Sequence, residues 1–509
     1  MPLWSKEPPK KALPATSTWK LSLKQAILLA LKNNLDIQIE AYNPRILNTE
    51  VDRALAGASG GLVPFDPLLK ASFQFTSLRT PTFVDTGAQF LGIPGSIGEV
   101  KPDKTKTIQF SLSLEQRFST GTTYTLSYTH GYRKTDRVFG LNPSYSSSLS
   151  LTLTQPLLKG LGPFINTVEI KIAQNSLSQS QVSFRLKVIQ VIQDVISKYW
   201  DLVQAYQNLK LKEKSYQVAK ELLEIAKLKL KIGTAPSLEV ASARAGLASR
   251  HADLINGYSQ WKNSSDQLLA LLLPPEEFRT FREIVEPSDL PGDRKEKIVL
   301  DQEILEALKY RLEIQLNQLE LQNKKILLAQ SEHNLLPSLN LSGTVTLNGL
   351  GGELDDSYRF IRPKKFHDFQ VALNFTYPLF QRAEKSAYEK ALLEKEQTML
   401  KILSTKRDIF LQVRQAYRNL LSSKEAYLAR VEASRFAKEK LDGERTRYSV
   451  GKSTNHQVLQ VEEEYTQART QEIEAKISIV KAYLALDVAT GKLLHRYGIE
   501  IRSQRTLRE

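Results

Sequence analysis

Two long stretches of this chain repeat each other, and that duplication constrains the fold more than any other feature of the sequence. Ala30, Leu31, Lys32, Leu35, Ile37 and Gln38 recur as Ala307, Leu308, Lys309, Leu312, Ile314 and Gln315, each 277 positions later. Val195, Tyr199, Leu202, Ala219, Lys220, Glu221, Leu223, Gly233 and Val240 recur as Val413, Tyr417, Leu420, Ala437, Lys438, Glu439, Leu441, Gly451 and Val458, each 218 positions later. The fall in offset reflects a longer insert in the first copy, residues 64–156 against 337–378. The chain thus reads as an N-terminal tail (1–19), a first repeat (20–273), a Pro- and charge-rich linker (274–297), a second repeat (298–492) and a basic C-terminal tail (493–509), disordered or peripheral.

Each copy predicts a helix, a β segment (about 66–155 and 338–377) and a long helical hairpin (about 163–271 and 379–492). Val188, Ile192, Val195, Tyr199, Leu202, Tyr206 and Leu209 alternate spacings of four and three, the seam of a coiled coil; Val413, Tyr417, Leu420, Tyr427 and Val431 continue it in the second copy, interrupted by Lys424. A helix from Pro163 to Lys231 would be about 100 Å long, which makes a rod and not a core helix.

The β segments alternate strictly. Phe73 and Phe75 oppose Ser72 and Gln74; Ile108, Phe110, Leu112 and Leu114 oppose Gln109, Ser111, Ser113 and Glu115. Leu149, Leu151 and Leu153 oppose Ser148, Ser150 and Thr152, and in the second copy Phe369, Val371, Leu373 and Phe375 oppose Gln370, Ala372, Asn374 and Thr376. A soluble sandwich alternates too. Here the segments have the length of a tilted membrane strand, the polar face is hydroxylic as a wet lumen requires, and Tyr145, Phe366 and Tyr377 flank the bands as interface aromatics. No window approaches the roughly 18 apolar residues of a membrane helix; the densest, 27–31 and 268–273, are far too short. Four strands in one copy and two in the other cannot close a channel, so the barrel requires further subunits.

Composition removes other classes. With no cysteine there are no disulfides, thiolate metal sites, cysteine nucleophiles or N-terminal lipid anchor. A net charge of +15 would suit nucleic acid, but the basic residues interleave with Glu along helical stretches such as 210–231, the pattern of a solvated helix face, so no nucleic-acid partner is expected. Residues 1–19 carry Lys6, Lys10, Lys11 and four prolines but no apolar core of a signal peptide, so the export signal is either trimmed or the chain is cytosolic. Gly451-Lys452-Ser453 has the end of a phosphate loop, yet position 446 is Thr446 where glycine is needed. The six histidines show no metal-ligand spacing, and no nucleophile, base and acid stand out; no enzyme activity, metal or cofactor is expected.

Gln155-Pro156-Leu157-Leu158 opening one coiled coil, Tyr377-Pro378-Leu379-Phe380 opening the other, and the turn Arg447-Tyr448-Ser449-Val450-Gly451-Lys452-Ser453-Thr454 resemble the TolC-like outer membrane efflux protein family over essentially the whole chain. The resemblance implies an α+β membrane protein: a trimeric transmembrane β-barrel continued by a long α-helical coiled-coil barrel, each protomer built from two structural repeats. It implies a passive exit duct of a tripartite efflux or type I secretion system in the bacterial outer membrane, with a periplasmic helical portion. Its partners would be two more copies of itself, a periplasmic adaptor, an inner-membrane pump or ABC transporter, and outer-membrane lipid. The adaptor-docking tips fall on Gly233, Thr234, Pro236 and Ser237 and on Gly451, Lys452, Ser453 and Thr454; the periplasmic aperture falls on Tyr448, Ser453, Gln457 and Gln460. The last three replace a basic and two acidic residues of the family pattern, so cation block is not carried over. The hairpin around 108–130, turning at Thr120-Gly121-Thr122, exceeds the family's four strands per protomer. The rival expectation is a soluble coiled-coil scaffold.

Overall fold

The computed structural model describes residues 17–57, 63–84, 99–136, 140–234, 236–292, 294, 296, 298–359 and 366–500. In chain order the elements are β1 (Thr18–Leu21), α1 (Leu23–Asn33), α2 (Leu35–Leu55), β2 (Leu68–Val84), β3 (Glu99–Arg117), β4 (Thr123–Thr135), β5 (Ser144–Pro156), α3 (Pro163–Asn166), α4 (Val168–Lys231) and α5 (Ser237–Leu272). There follow α6 (Pro275–Thr280), β6 (Ile284–Pro287), α7 (Leu300–Tyr310), α8 (Leu312–His333), β7 (Ser338–Gly351), α9 (Leu354–Arg359), β8 (His367–Thr376), α10 (Arg382–Ser449), α11 (Asn455–Ala489) and α12 (Leu493–Arg496). They form two compact units, each assembled from pieces of both repeats: residues 45–178 with 318–400, and 1–44 with 179–317 and 401–509.

The first of these units holds one antiparallel sheet in the order β2-β3-β4-β5-β7-β8, so four strands of the first copy and two of the second share one ladder. Residues directly opposite share a face. Phe73, Phe110, His130 and Ser147 stand in register on one side, as do Leu151, Val345 and Phe369, while Ser72 and Ser111 meet at 2.6 Å and Thr152 and Thr344 at 3.1 Å on the other. The apolar side is uncovered over much of its area: Phe73 is 70% exposed and Phe369 73%. In water such a face is costly at about 25 cal/mol per Å², and in lipid it is not. Strands β2 and β3, at 17 and 19 residues, run well past the ten or so expected of a membrane strand. Near the β5–β7 border α9 folds onto the apolar side, where Tyr358 stacks on Tyr128 and His130 and Ser357 bonds Ser147 at 3.0 Å.

The second unit is helical. The predicted seam is its core: Val188, Ile192, Val195, Tyr199, Leu202 and Leu209 are all buried, together with Leu268, Leu269 and Leu272 of α5. The stretch 274–297, expected as a plain linker, supplies α6 and β6, and β6 pairs in parallel with β1. Trp261 Nε1 donates to the Val285 carbonyl at 3.0 Å and Ser265 Oγ accepts from the Val285 amide at 2.9 Å, which pins this small sheet to α5. Asp289 then accepts from the Leu23 amide at the start of α1 (2.6 Å) and from the buried Tyr199 hydroxyl (3.0 Å). Burial, reinforced by the Asp289 carboxylate, holds that hydroxyl protonated well above the usual tyrosine range. The start of the expected C-terminal tail is ordered as well: Leu493 is buried, Tyr497 and Ile499 pack on the core, and Arg496 bridges Glu296 and Asp487.

Asp289 links a helix N-terminus to the coiled-coil seam; its loss strands the Leu23 amide and leaves the Tyr199 hydroxyl the Leu21 carbonyl (3.1 Å) as acceptor. Asp289→Ala should cost about 2–3 kcal/mol, read as a lower melting temperature, against about 1 kcal/mol for Tyr199→Phe; equal, small effects would contradict this role.

Candidate functional site

Both helical hairpins reverse through the same backbone geometry. Gly233 and Gly451 each sit at φ 76°, in the left-handed region that a side chain disfavours. At the first turn the Thr234 amide reaches the Lys229 carbonyl (2.9 Å) and the Gly233 amide that of Leu230 (3.1 Å). At the second, Lys452 reaches Arg447 (2.8 Å) and Gly451 reaches Tyr448 (3.2 Å), the paired bonds that satisfy a helix C-terminus. The restarts differ. Thr454 caps α11 in a reciprocal box with Gln457, whereas Pro236 precedes α5 with no side-chain cap.

Gly233, Thr234, Pro236, Ser237, Gly451, Lys452 and Thr454 are exposed and Ser453 is half-buried. Two apolar neighbours were not singled out from the sequence: Ile232 (73% exposed) and Val450 (63%). They are equivalent at the same offset of 218, which was the available signal.

The four aperture residues are not one cluster. Ser453 Oγ meets Gln457 Oε1 at 3.0 Å and also bonds Glu444, while Gln460 is exposed one turn further along α11. Tyr448 points elsewhere: it is 5% exposed, packed with Ala219, Leu222, Val458 and Leu459, and the Lys229 ammonium lies 3.8 Å from its ring centre. Burial first, and then Glu239, raise its hydroxyl above the usual tyrosine range. Tyr448 therefore joins the two hairpins of one protomer.

A second junction lies deeper. Gly246 of α5 lets Leu459 of α11 approach so closely that an added Cβ would stand 2.5 Å from Leu459 Cδ1. Next to it Arg250, 9% exposed, meets Glu462 (3.4 Å), Glu463 (3.2 Å) and the Leu459 carbonyl (3.4 Å); Glu462 is itself 3% exposed. Nothing in the sequence pattern pairs these residues across 212 positions. Between α4, α10 and α11 runs an open groove of about 1120 Å³ lined by Lys210, Lys214, Arg435, Lys438, Arg445, Arg469 and Lys476, against Asp289, Asp442, Glu462 and Glu472. Among the described residues no group of three or more His, Asp or Glu is placed to hold a metal ion, and no helix is long and apolar enough to cross a membrane.

A sheet hydroxylic on one face and apolar on the other, in a chain whose remaining mass is paired coiled coils, defines an outer-membrane channel. The family model described as outer membrane efflux protein matches residues 123–272 and 304–492, about two thirds of the chain, and the chain belongs to that family. Its function is that of an outer-membrane exit duct for efflux, and the family is one of channels and not of enzymes. Among solved structures the chain is similar to the CmeC outer membrane channel of Campylobacter jejuni (18% identity over 92% of this chain and 85% of that one, TM-score 0.64). It is also similar to VceC of Vibrio cholerae (13%, 92% and 96%, TM-score 0.62) and to the open state of the MtrE channel of Neisseria gonorrhoeae (17%, 92% and 88%, TM-score 0.61). At these identities the likeness establishes the fold. No curated protein sequence matches the chain. Strands β2 and β3 lie outside the family-matched segments, which begin at Thr123, the first residue of β4.

Arg250→Ala should leave Glu462 buried without its cation and destabilise the tip contact by about 3–5 kcal/mol, read as faster proteolysis of the hairpin turns. Arg250→Met combined with Glu462→Leu should restore most of the resistance; if the single and double variants are cleaved alike, the pair does not hold the hairpins.

Proposed function

We propose that three copies of this chain complete the sheet as one barrel and form a passive duct, fed from an inner-membrane pump or ABC transporter through a periplasmic adaptor. The observation that carries this reading is the open sheet: β2 and β8 are each paired on one side only, and the apolar face that would meet lipid belongs to the same six strands. In hydrocarbon an unpaired strand edge is untenable, so β2 of one copy pairs with β8 of the next. Three six-stranded sheets give eighteen strands, a barrel wide enough to leave an aqueous lumen lined by the hydroxyl face.

The hairpin turns form the entrance and take the adaptor. The exposed Ile232 and Val450, with the cationic groove above them, suit an adaptor hairpin whose tip is apolar and whose flank is acidic. Ser453, Gln457 and Gln460 narrow the aperture without charge, by hydrogen bonding, while the buried Tyr448 holds the second hairpin against the first behind them. Motion does the work here, as the second hairpin swings away from the first and breaks the contacts of Tyr448 and Arg250. The soluble-scaffold alternative leaves the uncovered phenylalanines without a partner.

Bridging Glu239→Cys to Tyr448→Cys with a short bismaleimide should tie the hairpins together and abolish efflux in cells while the protein stays in the outer membrane. Undiminished efflux from fully bridged protein would refute opening at this junction. Lys214→Glu with Lys438→Glu should reduce co-purification of the adaptor by about tenfold or more, with the trimer unchanged.

A further inference from the structure

We infer that the lipid-facing side of β2, β3 and β4 carries a binding site for the phosphate groups of a phosphorylated outer-leaflet lipid, made by Arg79, Lys104, Lys106 and Lys134. The inference rests on the reading above, in which the apolar face of the sheet meets lipid.

The ladder places these four cations together. Arg79 of β2 stands directly opposite Lys104 of β3, and Lys106 of β3 directly opposite Lys134 of β4. Counting by twos along each strand, all four lie on the face of Phe73, Phe75, Ile108, Phe110 and Tyr132, just beyond them toward the β2–β3 connection. Directly opposed side chains have Cβ atoms about 5 Å apart, and like charges there repel. None of the four makes an ion pair or hydrogen bond with a described residue, and all are exposed. The acids nearby do not neutralise them. Asp103 points to the other face, where it accepts from Thr135 Oγ1 at 3.3 Å, and Asp136, just past the end of β4, donates its backbone amide to the Lys104 carbonyl at 3.1 Å and forms no ion pair with the four cations. On the hydroxylic face, by contrast, Lys70 is matched by Glu115 at 2.8 Å.

Charges on a strand edge commonly serve to block edge-to-edge pairing, but only β2 is an edge strand here, and Lys106 and Lys134 stand on interior strands. Unneutralised cations immediately above an aromatic and aliphatic band have the complementary form of an amphiphile with anionic groups above acyl chains. The polar partner that relieves the repulsion is therefore a polyanionic headgroup, with its chains lying along Phe73, Phe75 and Phe110. Three of the four cations belong to β2 and β3, outside the family-matched segments, so the site is a feature of this chain's added length of sheet.

The test uses the full-length protein extracted from the outer membrane and stripped of lipid, titrated with micelles carrying diphosphorylated lipid A or the same lipid after phosphatase treatment. The wild type should bind the phosphorylated form about tenfold or more tightly than the treated one, and increasingly weakly as salt is raised. Lys104→Gln, Lys106→Gln and Lys134→Gln together should remove that preference, and the three Lys→Arg replacements should keep it. Excess inorganic phosphate should not displace the lipid. Displacement would assign a free-anion site and overturn the lipid occupant; equal binding of both lipids, or an unchanged preference in the Gln variant, would overturn the site. If the Gln variant fails to assemble, the wild-type comparison of the two lipids and its salt dependence decide alone. A chain that never reaches the outer membrane would overturn the channel reading as well, whereas a conducting channel indifferent to lipid phosphate would overturn this inference only.

Discussion

Backbone amides and carbonyls at the free edges of β2 and β8 set the terms for the rest of this molecule. A sheet that turns Phe73, Phe75, Phe369 and Phe375 outward at 60–73% exposure is built to meet lipid. A sheet in lipid cannot keep two open edges, because each unpaired peptide group there costs several kcal/mol. Six strands are too few to bend round and pair with themselves around a lumen. Oligomerisation is thus a consequence of hydrogen bonding as much as of surface burial, and the hydroxyl ladders of Ser72 with Ser111 and Thr152 with Thr344 show which face is left to water.

The helical unit answers a different requirement. Two copies of one hairpin, each ending in a glycine at the same positive φ, give repeated reversals with satisfied carbonyls and exposed tips. The hairpins of one protomer are joined at separate points of unlike chemistry: a tyrosine under an ammonium, and an arginine between two glutamates of which one is buried. Such contacts hold well when made and are sensitive to the loss of either partner, as the opening proposed for the hairpin tips requires.

Much of this was legible in the sequence, and for definite reasons. Period-two alternation survives because every strand keeps one face in lipid, and the seam from Val188 to Leu209 survives because a coiled coil tolerates few exceptions. The turn glycines were legible because little else fits their backbone. What escaped was long-range or short. Strands β1 and β6 have four residues each and pair across 266 positions, too little pattern for a local reading, which finds in 274–297 only a linker. Leu493, Tyr497 and Ile499 lie in a short segment whose four arginines give it the look of a basic tail, although Arg496 is matched by Glu296 and Asp487. Tyr448 was placed at the aperture by position alone, and only packing shows that it lies under Lys229 within the protomer. The extension of β2 and β3 hid because Arg79, Lys104 and Lys106 take the apolar-face positions that would continue the alternation, and Pro81 and Pro102 follow them.

The most direct test of the account is the mass of the particle extracted from outer membranes in a mild detergent, with lipid and detergent subtracted. A mass three times that of the chain is predicted, since only neighbouring copies can pair β2 with β8; a monomer released into the soluble fraction without detergent would contradict the barrel and everything derived from it.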